Sequence, residues 1–217
     1  MIVTTQKSLD EILGYISPYT NPSKSILIVG CDGCTQPPRG LREAKILSQL
    51  LELGGKLKGN NFKFKTTTTT KQCDYYLTAS SLKPQVEKVE AMLSLACGIG
   101  VQTLAELFSE LPVFPAQDTH FMGAEQREAG ILEERCAGCG NCLLAATGGI
   151  CPVARCSKGL LNGACGGSKQ GKCELSSDRD CAWCLIYERL KKQGKLHLLK
   201  ESRPPRNYQL TGWRVTT

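Results

Sequence analysis

Nine of the thirteen cysteines fall within one short stretch of the chain. The first three follow one another at a three-residue spacing, which can place three thiolates on neighbouring corners of an iron–sulfur cube. Zinc sites are more often assembled from separated pairs of ligands. The spacing therefore predicts iron–sulfur ligation and electron transfer, with zinc in place of a C-terminal cluster as the alternative. The nine residues are Cys136, Cys139, Cys142, Cys151, Cys156, Cys165, Cys173, Cys181 and Cys184.

Nine thiols provide two four-thiolate sites and one spare, so we expect up to two clusters in this stretch. Cys181 stands where a helix is expected to begin, and the helix dipole there favours a thiolate. Cys184 is therefore predicted to be the spare thiol, with Cys181 as the alternative. The gap between Cys142 and Cys151 is longer than in a bacterial ferredoxin loop, so the ferredoxin ligand pairing does not transfer and the grouping stays open.

The four upstream cysteines each follow a segment that is expected to form a strand. These segments are 25–30, 62–70 and 91–96, and the cysteines after them are Cys31, Cys34, Cys73 and Cys97. Parallel strands bring their carboxyl ends to one edge of the sheet, where such folds place ligands. The order predicts one [4Fe–4S] cluster held by all four thiolates. The alternative is that Cys73 and Cys97 are ordinary buried cysteines beside a redox pair or half of a zinc site.

The elements around these cysteines alternate between strand and helix. Ser8 with Glu11 predicts the cap of a first helix, and the apolar run 25–30 predicts a buried parallel strand. A helix is expected over 41–53 with Gly54 as its stop, another over 101–108, and a last short strand over 112–115. The pattern predicts an α/β fold, with a small N-terminal parallel-sheet (βαβ) domain.

The composition changes after about residue 123, because ten of the 22 glycines lie between Gly130 and Gly171. Such a segment cannot build a conventional core, so metal binding is expected to supply folding free energy. Asp178 or Asp180 is predicted to cap a closing helix with an apolar stripe, and Gly194 follows it. We expect an α/β domain over 1–122, a cysteine-rich metal-cluster domain over 123–193 and a basic extended tail over 194–217.

The formal net charge of +7 comes from the C-terminal part of the chain. Basic and acidic residues balance over 1–130, whereas 191–217 holds seven basic residues against Glu201. Thiolate-ligated clusters would offset part of this charge, so no nucleic-acid partner is expected. The start of the chain resembles no signal peptide, no segment is long enough for a membrane span, and thirteen thiols suit a reducing cytoplasm. No nucleotide-binding fingerprint is present, and no catalytic residue is predicted.

Several motifs resemble a known family. They are the segments 136–142 (CAGCGNC), 147–156 (TGGICPVARC), 165–167 (CGG), 171–174 (GKCE) and 180–183 (DCAW), together with 29–34 (VGCDGC) and 93–102 (LSLACGIGVQ) upstream. The segments from 136 onward are similar to the cysteine-rich C-terminal domain associated with methylenetetrahydrofolate reductases. Together with the two upstream segments, they resemble the MetV-type small subunits of acetogenic and related bacteria. Ala164, where proline is common, and the extra thiol of Cys184 are departures.

The resemblance implies an iron–sulfur subunit that binds a MetF-type catalytic subunit. That partner carries FMN in a barrel and reduces methylenetetrahydrofolate to methyltetrahydrofolate. A barrel of about 250 residues cannot also fit in this chain, so the folate chemistry is expected in the partner. A further electron-donating redox protein is a second expected partner. The alternative reading is a zinc-organised structural module that binds protein or nucleic acid without redox activity.

Overall fold

The computed structural model describes residues 1–125 and 130–208. The chain divides into two units, Met1–Phe121 (unit 1) and Met122–Thr217 (unit 2). The last part of the predicted tail, which includes Trp213, lies outside the described residues. Within the described ranges, no helix is both long enough and apolar enough to span a lipid bilayer.

Unit 1 contains strands and helices in alternation, as the sequence predicts. In chain order they are β1 (Ile2–Gln6), α1 (Leu9–Ile16), β2 (Ser25–Cys31), β3 (Thr35–Gln36), α2 (Leu41–Leu57), β4 (Phe64–Thr69), α3 (Tyr75–Leu82), β5 (Val89–Ser94), α4 (Gly98–Leu107), β6 (Val113–Pro115) and β7 (Gln117–Glu125), which continues into unit 2. Four of the strands form a parallel sheet in the order β4-β2-β5-β6. The predicted α/β class is confirmed.

Strand β2 is the centre of this sheet, and all seven of its residues are buried. Ile28 pairs with Thr66 of β4 on one side and with Leu93 of β5 on the other. Because side chains alternate along a strand, Ile28 packs in the core with α1 and α2, whereas Val29 packs in the core with α4. Helices on both faces cover a parallel sheet in this way because neither face can remain in water.

Helix α2 is longer than the sequence predicts. Gly54 was expected to end it, but the helix continues through Gly54 and Gly55 to Leu57. A Cβ atom on Gly55 would lie 2.6 Å from the ring of Phe62, so this glycine allows a close contact rather than ending the helix. Ser8 caps α1 as predicted, by accepting a hydrogen bond from the Glu11 N–H (3.2 Å).

Some elements of unit 1 are not predicted by the sequence. Strand β1 pairs in parallel with β3, through Ile2 with Thr35, and lies next to β7. Helix α3 also has no clear apolar stripe, and only Thr78 and Leu82 are buried in it.

The predicted strand over 91–96 lies two residues earlier, at β5. The predicted helix over 101–108 begins earlier, at Gly98.

Unit 2 contains short elements joined by long loops. They are β8 (Leu132–Cys136), α5 (Pro152–Arg155), β9 (Lys172–Cys173), β10 (Ser176–Asp180) and α6 (Ala182–Lys192). The end of β7, from Met122, pairs antiparallel with β8, and β9 pairs antiparallel with β10. The small core consists of Ile150, Trp183, Ile186 and Leu190, with partly buried neighbours around them.

The closing helix of the sequence analysis is α6, but its cap is different from the predicted one. Cys181 occupies the N-cap position, whereas Asp178 and Asp180 belong to β10. The Asp180 carboxylate instead accepts a hydrogen bond from Lys172 on the neighbouring strand (2.7 Å). Gly194 follows the helix with a left-handed backbone (φ +66°), as expected of a residue that ends a helix.

The segment after α6 is held against unit 2. A 3-10 turn covers Leu196–Leu199, where the sequence predicts an extended chain. The backbone N–H of Arg203 donates to Asn162 (2.7 Å), and the Asn162 side chain donates back to the Arg203 carbonyl (2.8 Å). The Arg203 guanidinium also donates to the carbonyls of Leu161 and Ala146. The tail therefore lies on a surface as far as Arg203.

Candidate metal centres

The four upstream cysteines lie at or just beyond the carboxyl ends of the parallel strands. Cys31 is the last residue of β2, and Cys97 is the N-cap of α4, shortly after β5. Both side chains are buried, whereas Cys34 and Cys73 are exposed. Cys73 stands between β4 and α3. The edge thus collects sulfur atoms from three successive loops, as the strand order predicts.

Cys31, Cys73 and Cys97 lie at the ends of β2 and β4 and at the start of α4, at one edge of the sheet. Partial desolvation raises the pKa of Cys73, the positive charge of Lys71 lowers it, and the thiols of Cys97 and Cys31 raise it.

Cys34 is positioned by strand β1. The Ile2 N–H donates to the Cys34 carbonyl (2.8 Å), and the next residue, Thr35, pairs with Ile2. At the start of the same loop, the Cys31 N–H donates to the Arg39 carbonyl (2.7 Å). The loop that carries both cysteines is therefore fixed at each end by backbone hydrogen bonds.

A buried hydrogen-bond network lies directly behind this edge, and the sequence analysis missed it. The Gln72 amide donates to the carbonyls of Val29 (2.9 Å) and Gly30 (2.8 Å), and the Ser94 hydroxyl donates to the Gln72 side-chain carbonyl (2.7 Å). The Ser94 oxygen also accepts from the Ala96 N–H (3.2 Å). Gln72 and Ser94 are fully buried. A serine inside the apolar run 91–96 is the only sequence signal for this network.

The Cys136–Cys142 loop of unit 2 begins where β8 ends. Cys136 pairs with Met122 in the sheet, and Gly138 turns the chain with a left-handed backbone (φ +60°). The Gly138 N–H donates to the Cys136 sulfur (3.4 Å), a contact of the type that tunes thiolate ligands. The thiol of Cys139 donates to the Asn141 carbonyl (3.4 Å). Cys136 and Cys142 are exposed.

Cys151 approaches the same region from another element. It is the N-cap of α5, which packs against β8. Arg155 at the end of α5 forms an ion pair with Glu133 of β8 (3.4 Å). The elements that carry Cys136 and Cys151 are therefore in contact.

The other four predicted ligands of unit 2 line one small cavity. Its volume is about 20 Å³, close to the space of one water molecule. The four ligands are Cys156, Cys165, Cys173 and Cys181. A hydrogen bond with the Ser157 hydroxyl lowers the pKa of Cys173, as do backbone N–H groups of Leu175 and Ser176. The thiolate form needed for metal binding is therefore favoured at this position.

Cys184 lines a different and larger cavity, of about 690 Å³, with Trp183 and Tyr187. Its sulfur lies 3.5 Å from the Ser168 hydroxyl. Ser168 also lines the small cavity. Four of the nine thiols therefore line the small cavity, and Cys184 lines the larger one.

The donor chemistry of each set fits a thiolate-bound metal. Sulfur-only sets are typical of iron–sulfur clusters and of structural zinc, and not of calcium or magnesium. Across residues 1–125 and 130–208, no three Cys, His, Asp or Glu side chains already stand close enough to ligate an ion. The thirteen cysteines are all free thiols, so no disulfide competes for them.

Comparisons with known proteins bear on unit 2. Residues 114–209, less than half of the chain, match a family model described as "Methylene-tetrahydrofolate reductase C terminal". No curated protein matches the chain, and no solved structure does. The matched stretch contains all nine cysteines from Cys136 to Cys184. Over residues 114–209, the chain is therefore similar to the methylenetetrahydrofolate reductase C-terminal family.

Proposed function

We propose that this chain is the iron–sulfur electron-transfer subunit, of the MetV type, of a methylenetetrahydrofolate reductase complex. It would pass electrons to the FMN of a MetF-type catalytic subunit that reduces methylenetetrahydrofolate to methyltetrahydrofolate. The observation that carries the proposal is the crowding of nine thiols within the stretch that matches the reductase family. A cytoplasmic location and a separate electron-donating redox protein belong to the same proposal.

Iron–sulfur clusters would be held by two sets of cysteines. One set is Cys31, Cys34, Cys73 and Cys97, and the other is Cys136, Cys139, Cys142 and Cys151. A bound four-iron cluster supplies one-electron transfer at a potential that burial and hydrogen bonds adjust. The chain contributes two such adjustments. Cys31 and Cys97 are buried from water, and the Gly138 N–H donates to the Cys136 sulfur.

A single zinc ion is the better fit for the third set. Cys156, Cys165, Cys173 and Cys181 line one cavity and are well separated in the sequence, and zinc sites are often assembled from separated ligands. Zinc bound by four cysteines is a common structural site and supplies folding free energy without redox chemistry. This site would organise the loops between α5 and α6.

Metal analysis of anaerobically prepared protein tests the proposal directly. We expect about eight iron atoms, about eight sulfides and about one zinc per chain, with a brown colour that dithionite bleaches. The reduced protein, mixed with the flavoprotein subunit of the same organism, should reduce its FMN. Zinc in stoichiometric amount without iron would overturn the redox role and favour the structural zinc module. Salt-dependent binding of that colourless protein to DNA would then extend the result to nucleic acid.

A further inference from the structure

Helix α2 carries a second apolar stripe on the side opposite the core. Its buried face consists of Ala44, Leu47, Leu51 and Gly55. Besides Leu41 at its start, four large apolar side chains of the same helix remain in solvent, with exposed fractions of 45%, 43%, 62% and 90%. They are Ile46, Leu50, Leu53 and Leu57, which we call the α2 seam. Large contiguous apolar patches on a protein surface mark interaction sites.

The seam has the geometry of a helix-packing surface. Its members follow one another at intervals of four, three and four residues, the spacing of alternating d and a positions in a heptad repeat. Residues at these intervals lie on one side of a helix, so the four side chains form a line of about 16 Å. We propose that the α2 seam is the docking surface for an apolar helix of the flavin-carrying reductase subunit, edged by carboxylates. The identity of this partner rests on the proposed function.

The charges beside the seam determine which side chains a partner helix should carry along its facing edge. Arg42, Gln49 and Lys56 occupy the g positions of the heptads, where side chains pair with those of a partner helix. Arg42 and Lys56 are exposed, although Lys56 also forms an ion pair with Glu52 on its own helix (2.8 Å). A partner helix that presents Glu or Asp along this edge would complement it.

The other edge of the seam packs against the rest of unit 1. Its e positions are Leu47, which is buried, and Gly54, where an added Cβ atom would lie 3.0 Å from Leu13 of α1. This edge therefore offers no charge to a partner. A second copy of the chain fits the seam poorly, because an antiparallel pair would set the two basic edges against each other and a parallel pair would offer no carboxylate.

A membrane is also a poor fit for the seam. Helices that lie in a lipid interface bury a wide apolar face, whereas the seam is a single line of four residues, and the buried face of α2 packs in the core.

Direct binding tests this inference with the full-length, metal-loaded chain. The probe is the flavoprotein methylenetetrahydrofolate reductase subunit of the same organism, titrated under anaerobic conditions by calorimetry. We expect Leu53→Glu with Leu57→Glu to raise the Kd by at least about tenfold, and Arg42→Glu with Lys56→Glu to weaken binding most at low salt. The matched control is Lys83→Glu, an exposed position at the end of α3 and outside helix α2, which should change the Kd by less than about twofold.

The other outcomes overturn the inference in distinguishable ways. Equal affinity of the seam variant and the unsubstituted chain would refute docking at α2 and leave the proposed function intact. Failure of the unsubstituted chain to bind the flavoprotein would refute the proposed partner and the inference together. A seam-dependent dimer in sedimentation, or seam-dependent binding to phosphatidylglycerol vesicles, would assign the surface to a second copy or to a membrane. Circular dichroism checks that each variant folds, which the exposure of Leu53 and Leu57 leads us to expect.

Discussion

The side chain of Gln72 joins three loops that carry candidate ligands. Its amide donates to two carbonyls at the end of β2, next to Cys31, and its carbonyl accepts from Ser94 at the end of β5, three residues before Cys97. Cys73 is the next residue after Gln72 in the chain. All of these bonds are shielded from water. A buried amide with satisfied donors and acceptor fixes its neighbours in one arrangement. Gln72 is therefore a positioning residue for the sheet edge rather than a ligand.

Replacement of Gln72 by leucine tests this role. Gln72→Leu keeps a similar volume but removes three hydrogen bonds in the core, so we expect the free energy of unfolding to fall by about 3 kcal/mol. Urea denaturation of the full chain measures the change. The control is Gln102→Leu, because Gln102 is exposed and its side chain donates one local hydrogen bond on its own helix, to the Gly98 carbonyl (3.0 Å). A loss for Gln72→Leu no larger than for the control would contradict the role.

Cys181 and Cys184 offer a matched test of the third ligand set, since they lie on the same helix three residues apart. Cys181→Ser should lower bound zinc from about one atom per chain to near zero, because it removes one of four sulfur ligands. Cys184→Ser should leave zinc and iron unchanged, because Cys184 lines the other cavity. Inductively coupled plasma mass spectrometry of both variants reports the contents. Zinc lost from Cys184→Ser but kept in Cys181→Ser would reverse the assignment.

At the scale of the elements, two helical glycines have opposite surroundings. Gly14 of α1 is exposed, and a Cβ atom built on it would have no neighbour within 4 Å. Gly55 of α2 is buried, and its Cβ atom would lie 2.6 Å from the Phe62 ring. Alanine favours a helix over glycine by about 1 kcal/mol wherever it fits. The two sites should therefore respond to the same substitution with opposite signs.

We expect Gly14→Ala to raise the free energy of unfolding by about 0.5–1 kcal/mol and Gly55→Ala to lower it by about 1–3 kcal/mol. The overlap with a buried ring at Gly55 outweighs the gain in helix propensity, because Phe62 is enclosed by the core of unit 1. Thermal and urea unfolding of the two variants provide the measurement. Stabilisation by both would mean that α2 shifts away from Phe62 at little cost.

Some features of these elements could be predicted from the sequence and others could not. The edge that gathers Cys31, Cys73 and Cys97 could be predicted, because apolar β-branched runs in β–α alternation determine a parallel sheet and its carboxyl edge. The end of α2 could not be predicted, because it depends on contacts outside the helix. Gly54 lies against Leu13, which is distant in the sequence, and Gly55 lies against Phe62, which comes after the helix. Local signals describe an element, whereas its length here depends on packing.

The candidate sites likewise include ligands that local spacing predicts and ligands that only the fold brings together. The spacing of Cys136, Cys139 and Cys142 predicts ligand chemistry from the residues alone. The set that lines the small cavity could not be predicted, because Cys156 and Cys173 meet only through the fold of irregular loops. The network of Gln72 was hidden for a related reason. A glutamine beside a cysteine looks like a surface residue until the sheet buries it.

At the scale of the whole molecule, the two units have very different cores. Among the residues that the structure describes, unit 1 has two clusters of buried apolar residues, with thirteen and seven members, whereas the cluster of unit 2 has four. A segment with so small a core requires another source of stability, which metals provide in small cysteine-rich domains. Binding to the folded state alone stabilises that state by mass action. Unit 2 should therefore depend on metal far more than unit 1.

Removal of metal should unfold unit 2 selectively. After anaerobic treatment with a chelator and ferricyanide, we expect the amides of Trp183, Ile186 and Leu190 to exchange at least about a hundredfold faster, because closing the core around α6 needs the thiolate-bound metal. The amides of β2 should keep their protection, since the sheet has its own core on both faces. Hydrogen exchange with mass spectrometry on the full chain resolves these segments, and the metal-loaded protein is the reference. Equal loss of protection in β2 and α6 would show that the two units unfold together, and unchanged exchange in α6 would show that its four-residue core is sufficient without metal.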